Sequence, residues 1–217
     1  MQSLQHKRFF IPFSLVLLTI FSSCIGLSMD IEMRRNGSGK VSLEYRVSAM
    51  AETLGRLDGN ERWPIIPVGR SDWERSIERI PGMKLASFSS RERAPDVVIS
   101  VTLEYDNPEA LIKFLDNSGS KASFAQGRLD IILNAPVSGE INADLLDLMR
   151  QVSNGYRVSV SFSADSNSTM TVTDGAGRER NPPSAAAVTP SGRRVSFSID
   201  TGAIFELRDG LGVSFRW

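Results

Sequence analysis

Histidine and cysteine are almost missing from this chain of 217 residues: His6 and Cys24 are the single examples of each. Both precede Gly26, so the rest of the chain has neither an imidazole nor a thiol. That excludes Ser-His-Asp and Cys-His nucleophilic catalysis, zinc sites of the usual kinds and disulfide bracing. Stability must come from a packed core, and no catalytic residue, cofactor or metal is expected. An excess of one charge is also missing, with 25 Lys+Arg against 25 Asp+Glu. Nucleic-acid binding rests on phosphate neutralisation, so the near-neutral balance argues against it. Nor does the sequence show a polybasic patch for anionic lipid. Long apolar runs are lacking too. Phe9 to Phe21 is apolar over about a dozen residues, whereas a membrane span needs roughly 20.

That short run is part of a secretory leader. Lys7 and Arg8 supply its positive start, and Leu15, Val16, Leu17, Leu18 and Ile20 its apolar centre. Ser22 and Ser23 then offer a peptidase little bulk before Cys24. Here the chain resembles bacterial lipoprotein precursors, whose lipobox is a Leu, two small residues and the cysteine that is lipidated. Phe21 stands where the Leu usually does, a relaxed lipobox similar to those of spirochaetes. The resemblance covers about the first 25 residues. It implies that residues 1–23 are removed and that Cys24 carries diacylglycerol and palmitate. The protein would then be anchored in the cell membrane or outer membrane, facing the periplasm or the cell surface. Loss of Lys7 and Arg8 from a net charge of +0 would leave −2. Lipidation would also occupy a thiol that a secreted chain must otherwise manage.

From Cys24 onward the pattern fits one domain. Ile31 and Met33 alternate with charged residues, Asn36-Gly37-Ser38-Gly39 turns, and Val41, Leu43, Tyr45 and Val47 alternate again, which predicts a hairpin. Ser71 with Glu74 predicts a capping box opening a helix that carries Trp73, Ile77 and Ile80 and ends at Pro81-Gly82. Strands are expected over 83–88 and 97–105. Asn107-Pro108 opens a second helix with Leu111, Ile112, Phe114 and Leu115. A short hairpin is expected over 122–133. Asn142 caps a third helix that runs to Asn154-Gly155. Further strands are expected around Val158–Phe162, Met170–Val172, Val195–Ile199 and Val213–Trp217, with an exposed Pro/Ala/Gly-rich loop over 176–193. The expected class is α+β: an antiparallel sheet built from hairpins, with about three amphipathic helices packed on one face. This succession resembles, weakly, the small lipoproteins of LppM type, whose domains have been linked to lipid binding, although no motif carries a function across.

Candidate sites are few. Asn36 to Lys40 departs from a phosphate loop, which needs a glycine at the position of Arg34 and a Ser or Thr at that of Val41; a hairpin turn is expected. Asp165, Asn167 and Ser168 lack the spacing and closing Glu of a calcium loop. Asp106 with Glu109, and Asp144 with Asp147, fall at helix N-termini, where acids suit the helix dipole. Trp63-Pro64-Ile65-Ile66-Pro67-Val68 is apolar and its prolines forbid a helix. Trp63, Ile65 and Ile66 are therefore candidates for partner or lipid contact if exposed, with burial as the competing reading. Val213 to Trp217 resembles the last strand of an outer-membrane barrel, with an ordinary sheet strand as the alternative. The expected function is a non-catalytic binding module for a protein partner or an apolar ligand. The alternatives are a structural envelope component without ligand, or a hydrolase using carboxylates alone.

Overall fold

The structure, a computed structural model, describes residues 26–48, 67–94, 96–117, 121–125, 127–134, 146–147, 150–151 and 153–217. It opens with the expected hairpin, β1 (Gly26–Met33) and β2 (Gly39–Ser48), followed by α1 (Arg70–Glu78), β3 (Met83–Arg93), β4 (Asp96–Tyr105) and α2 (Pro108–Asn117). β5 (Lys121–Ala125), β6 (Arg128–Asn134), β7 (Arg157–Ala164) and β8 (Thr169–Thr173) come next. β9 (Glu179–Arg180), β10 (Ala186–Ser191), β11 (Arg194–Asp200), α3 (Thr201–Ile204) and β12 (Leu211–Arg216) complete the order. The strands form a seven-stranded sheet ordered β10-β11-β7-β1-β2-β4-β3 and a five-stranded sheet ordered β5-β6-β12-β8-β9.

This corrects the expected α+β class. The fold is mostly β, with two sheets where one was expected, and the described helices are short. The reason lies in what an alternating strand specifies: it shows which of its faces must be covered, and leaves open what covers it. β6, β8 and β12 each carry an apolar face of their own, at Leu129, Ile131, Val172, Val213 and Phe215. Such faces satisfy one another across a sandwich as well as helices could. Phe162 of β7 and Phe215 of β12 stack across that junction with ring centroids 5.2 Å apart, and Trp217 joins Phe162 at 4.8 Å. Nor is the large sheet wholly antiparallel. β1 runs parallel to β7, Leu27 beside Val158 and Ile31 beside Phe162. The segment expected as a loop over 176–193 contains β9 and β10, and β10 pairs antiparallel with β11. It is exposed along most of its length. Of the third expected helix, 146–147 and 150–151 are helical, and much of the rest lies outside the described residues.

Where the large sheet is not covered by the small one, the two longer helices cover it. Trp73 of α1 meets Tyr45 of β2 and Phe114 of α2, at 6.4 and 6.2 Å between centroids. Helix α1 starts two residues earlier than its Ser71 suggested: Gly69 is the cap, and the Asp72 carboxylate accepts its N–H at 2.9 Å. Helix α2 starts as its sequence predicts, with Asn107 Oδ1 accepting the Ala110 N–H at 2.9 Å. Gly39 is required by close approach, since a Cβ there would run into the Glu32 carbonyl and the Tyr105 hydroxyl. In the five-stranded sheet β12 is the central strand, between β6 and β8.

The Tyr45 hydroxyl ties three parts together. It donates to the Pro67 carbonyl and accepts from Trp73 Nε1 at 3.1 Å. Burial pushes its pKa well up, so it stays a neutral donor. Tyr45→Phe leaves the buried indole N–H and the Pro67 carbonyl without this partner. The expected cost is about 1–3 kcal/mol of unfolding free energy, read from urea unfolding; an unchanged midpoint would show that water replaces the hydroxyl.

Candidate functional site

The outer face of the seven-stranded sheet is polar and unusually rich in small hydroxyls. Reading across the paired strands, one row holds Thr189, Ser196, Ser161, Asp30, Ser42, Thr102 and Ser87. The next row holds Ser198, Ser159, Ser28, Glu44, Ser100 and Ser89. Directly paired residues point to the same face, and the residues between them, such as Ile31, Val41 and Leu103, are the buried core. None of the residues in these two rows is itself buried. On the β7–β11 side the hydroxyls bond one another, Ser161 with Ser196 at 2.9 Å and Ser159 with Ser198 at 3.0 Å. On the β2–β4 side Ser42 and Thr102 make no side-chain hydrogen bond among the described residues.

Asp30 sits in the middle of this face, between the two sides. Its side chain keeps 22% of its exposure, and Oδ2 lies 2.7 Å from the Arg194 guanidinium. Oδ1 is buried and has no protein partner among the described residues. Burial raises the carboxyl above its ordinary value; Arg194 pulls the other way, and the Glu32 charge two residues on adds to the rise. Beyond Glu32 the face runs into a hollow of about 260 Å³ at the β1–β2 turn, lined by Glu32, Arg34, Lys40, Ser163 and Asp165. A second, more open hollow of about 590 Å³ lies between α1 and β3. Both are lined by charged side chains, and neither is a closed apolar chamber under the helices.

The residues singled out in the sequence are distributed as follows. Cys24, Trp63, Ile65 and Ile66 lie outside the described residues. Of the apolar segment ending at Val68, Pro67 supplies the carbonyl that Tyr45 reaches, and Val68 packs against the core. Asn36 to Gly39 is a hairpin turn, with Gly37 at φ +82° and Asn36 Oδ1 accepting the Ser38 N–H at 3.1 Å. Asp165 accepts the Arg35 N–H at 2.9 Å, and Ser168 is buried, so the three oxygens are not gathered for calcium. Among the described residues no group of three His, Cys, Asp or Glu could hold a metal ion. Asp106 pairs with Lys84 and Asp147 with Arg150. Asp30 and Glu32 stand side by side on one face.

The sequence reading missed Asp30 because a charge alternating with apolar residues is the usual mark of a solvated strand face. The signal that was there is the run of serines at the same phase in β7 and β11. No protein-family model and no curated protein matches this chain.

Asp30 and Asp174 differ in sign. Asp174 Oδ1 accepts the N–H groups of Arg178 and Ala176, both at 2.9 Å, and these bonds with the Arg178 guanidinium hold its carboxyl below the ordinary value. Its stabilisation is complete above that value and is lost as pH falls through the lowered one. Asp30 in the folded state holds its proton more tightly than the unfolded chain does. Its contribution therefore declines as pH rises from the ordinary carboxylate value through the raised one, and the full penalty is present at neutral pH. Asp30→Asn is expected to match or exceed the wild-type urea midpoint at pH 7. Its advantage should shrink as pH is lowered toward about 4. Asp174→Asn is expected to unfold earlier at pH 7 and to converge with wild type only in stronger acid. A lower midpoint for Asp30→Asn at pH 7 would mean that the Arg194 pairing outweighs desolvation.

Proposed function

We propose that this protein is an envelope lipoprotein, anchored through Cys24 to the cell membrane or outer membrane, whose domain is a non-catalytic binding module. The occupant that fits best is a protein partner on the outer sheet face. The anchor rests on the leader and on Ser22-Ser23-Cys24. No helix among the described residues is long and apolar enough to cross a membrane, and the anchor does not depend on one. The absence of imidazole and of any thiol beyond Cys24 supports the non-catalytic reading.

Asp30 is the observation that carries the binding role. A carboxylate held half out of water in the middle of a hydroxyl face costs stability, and a purely structural face has no need of it. Desolvated titratable groups with a specific charge partner cluster at functional sites. Ser42 and Thr102, reachable from outside and without side-chain hydrogen bonds among the described residues, can donate to the carbonyls of a partner laid beside the carboxylate. The charged lining of both hollows counts against an enclosed apolar ligand, and so favours a protein partner over a lipid-like one inside the domain.

Two measurements in the native cell test this reading. Labelled palmitate should enter the wild-type chain and not Cys24→Ala; label that survives the substitution removes the anchor. A photo-crosslinking residue in place of Ser42 should give one discrete adduct. Asp30→Lys, with the fold verified by circular dichroism, should abolish it. Adduct formation indifferent to Asp30→Lys would remove the outer face as the binding surface.

A further inference from the structure

The two ends of the outer sheet face treat their cations differently. At the end near the β1–β2 turn, the cations within the strands are ion-paired, Lys40 with Glu104 at 3.3 Å, Lys84 with Asp106 at 3.7 Å and Arg194 with Asp30 at 2.7 Å, and Arg34 in the turn reaches Ser38. At the opposite end, where β1 begins, Arg46, Arg91 and Arg93 are exposed and have no hydrogen bond or ion pair among the described residues. Strand pairing gathers them. Gly26 pairs with Arg46, Arg46 with Val98, and Val98 with Arg91, so Arg46 and Arg91 stand level with Gly26 on one face. Arg93 lies two residues further out on the same face. With strands spaced about 4.8 Å apart, Arg46 and Arg91 are roughly 10 Å from each other. The acids at this end are mostly engaged: Asp200 pairs with Arg157 at 2.8 Å, and Asp96 accepts the Tyr156 hydroxyl at 3.0 Å. Glu44, two residues before Arg46, is the remaining one on this face.

Gly26 follows Cys24 by two residues, and two residues reach at most about 7 Å. The polar layer on each side of a bilayer is itself roughly 5–7 Å deep. A lipid on Cys24 therefore holds the level of Gly26, and the arginines in register with it, at the depth of the phosphates. We propose that Arg46, Arg91 and Arg93 form a contact for anionic phospholipid headgroups, which lays this end of the sheet against the membrane that carries the anchor. The contact rests on the Cys24 anchor. It does not need the linear run of basic residues whose absence from the sequence argued against lipid binding, because the sheet assembles the cluster from β2 and β3. Guanidinium groups suit phosphate by their forked geometry, and each near an anionic surface strengthens association about fivefold.

The test uses the full chain, processed in its host and reconstituted into vesicles. Val98→Cys, midway between Arg46 and Arg91, takes an environment-sensitive dye; with Cys24 acylated it is the sole free thiol. Vesicles of phosphatidylcholine are compared with vesicles containing about one third phosphatidylglycerol, and Cys24 acylation is measured on the same preparation by labelled palmitate. The expected result is a blue shift on the anionic vesicles alone. High salt should remove it, and so should the triple change Arg46→Gln, Arg91→Gln and Arg93→Gln. Acylated protein with the same emission on both vesicles, or a shift that survives the triple change, overturns the arginine contact and leaves the anchor standing. Absence of acylation overturns both.

Discussion

The parallel pairing of β1 with β7 is the constraint on which the rest of the structure depends. It joins the hairpin-and-helix half, β1 to β4, to the strands β7, β10 and β11 in one sheet. Its register puts Met29, Ile31 and Met33 beside Val160, Phe162 and Ala164, so that a single apolar face runs unbroken across seven strands. A slip of one residue would turn every one of these side chains to the opposite face. The slip would also put Asp30 and the serines into the core. Phe162, fully buried and stacked on Phe215, then uses that same register to seat the second sheet.

Covering this face takes two different materials. The small sheet covers one part and the two longer helices another, with Trp73 and Phe114 filling the space over β2. Tyr45 belongs to the second region, and its hydroxyl is spent on holding the chain at Pro67 and α1 in place. The outer face is left with no structural task of that kind. This freedom explains how it can be populated by serine and threonine, poor contributors to packing, and can hold one desolvated carboxylate.

Much of the local structure was legible in the sequence. The alternation in β2, β4, β7, β11 and β12 is read correctly to within a residue or two, as are α2 with its Asn107 cap and the Asn36–Gly39 turn, whereas β1 begins at Gly26, five residues before the Ile31 that marked it. Those signals are local: a period of two, a period of 3.6, or a side chain bonding its own backbone. What was not legible is non-local. The parallel β1–β7 pair, the second sheet and the pairing of β10 with β11 depend on which faces meet, and the alternation of one strand carries no record of its partner. Helix α1 shows the limit even locally, where Asp72 rather than Ser71 and Glu74 sets the start. The site was hidden for the same reason: Asp30, Ser42 and Arg194 are unrelated in sequence and become neighbours only through register.

The position of β12 has a consequence for the order of assembly. In the five-stranded sheet, β6 and β8 do not touch each other; each pairs with β12, which is made after both. Until Leu211 to Arg216 leave the ribosome, that sheet exists as two fragments. The apolar sides of β7 and β11 meanwhile lack their cover. Closing contacts this distant along the chain is slow, so the five-stranded sheet forms late relative to the local hairpins. The five-stranded sheet is thus completed only when β12 docks between β6 and β8.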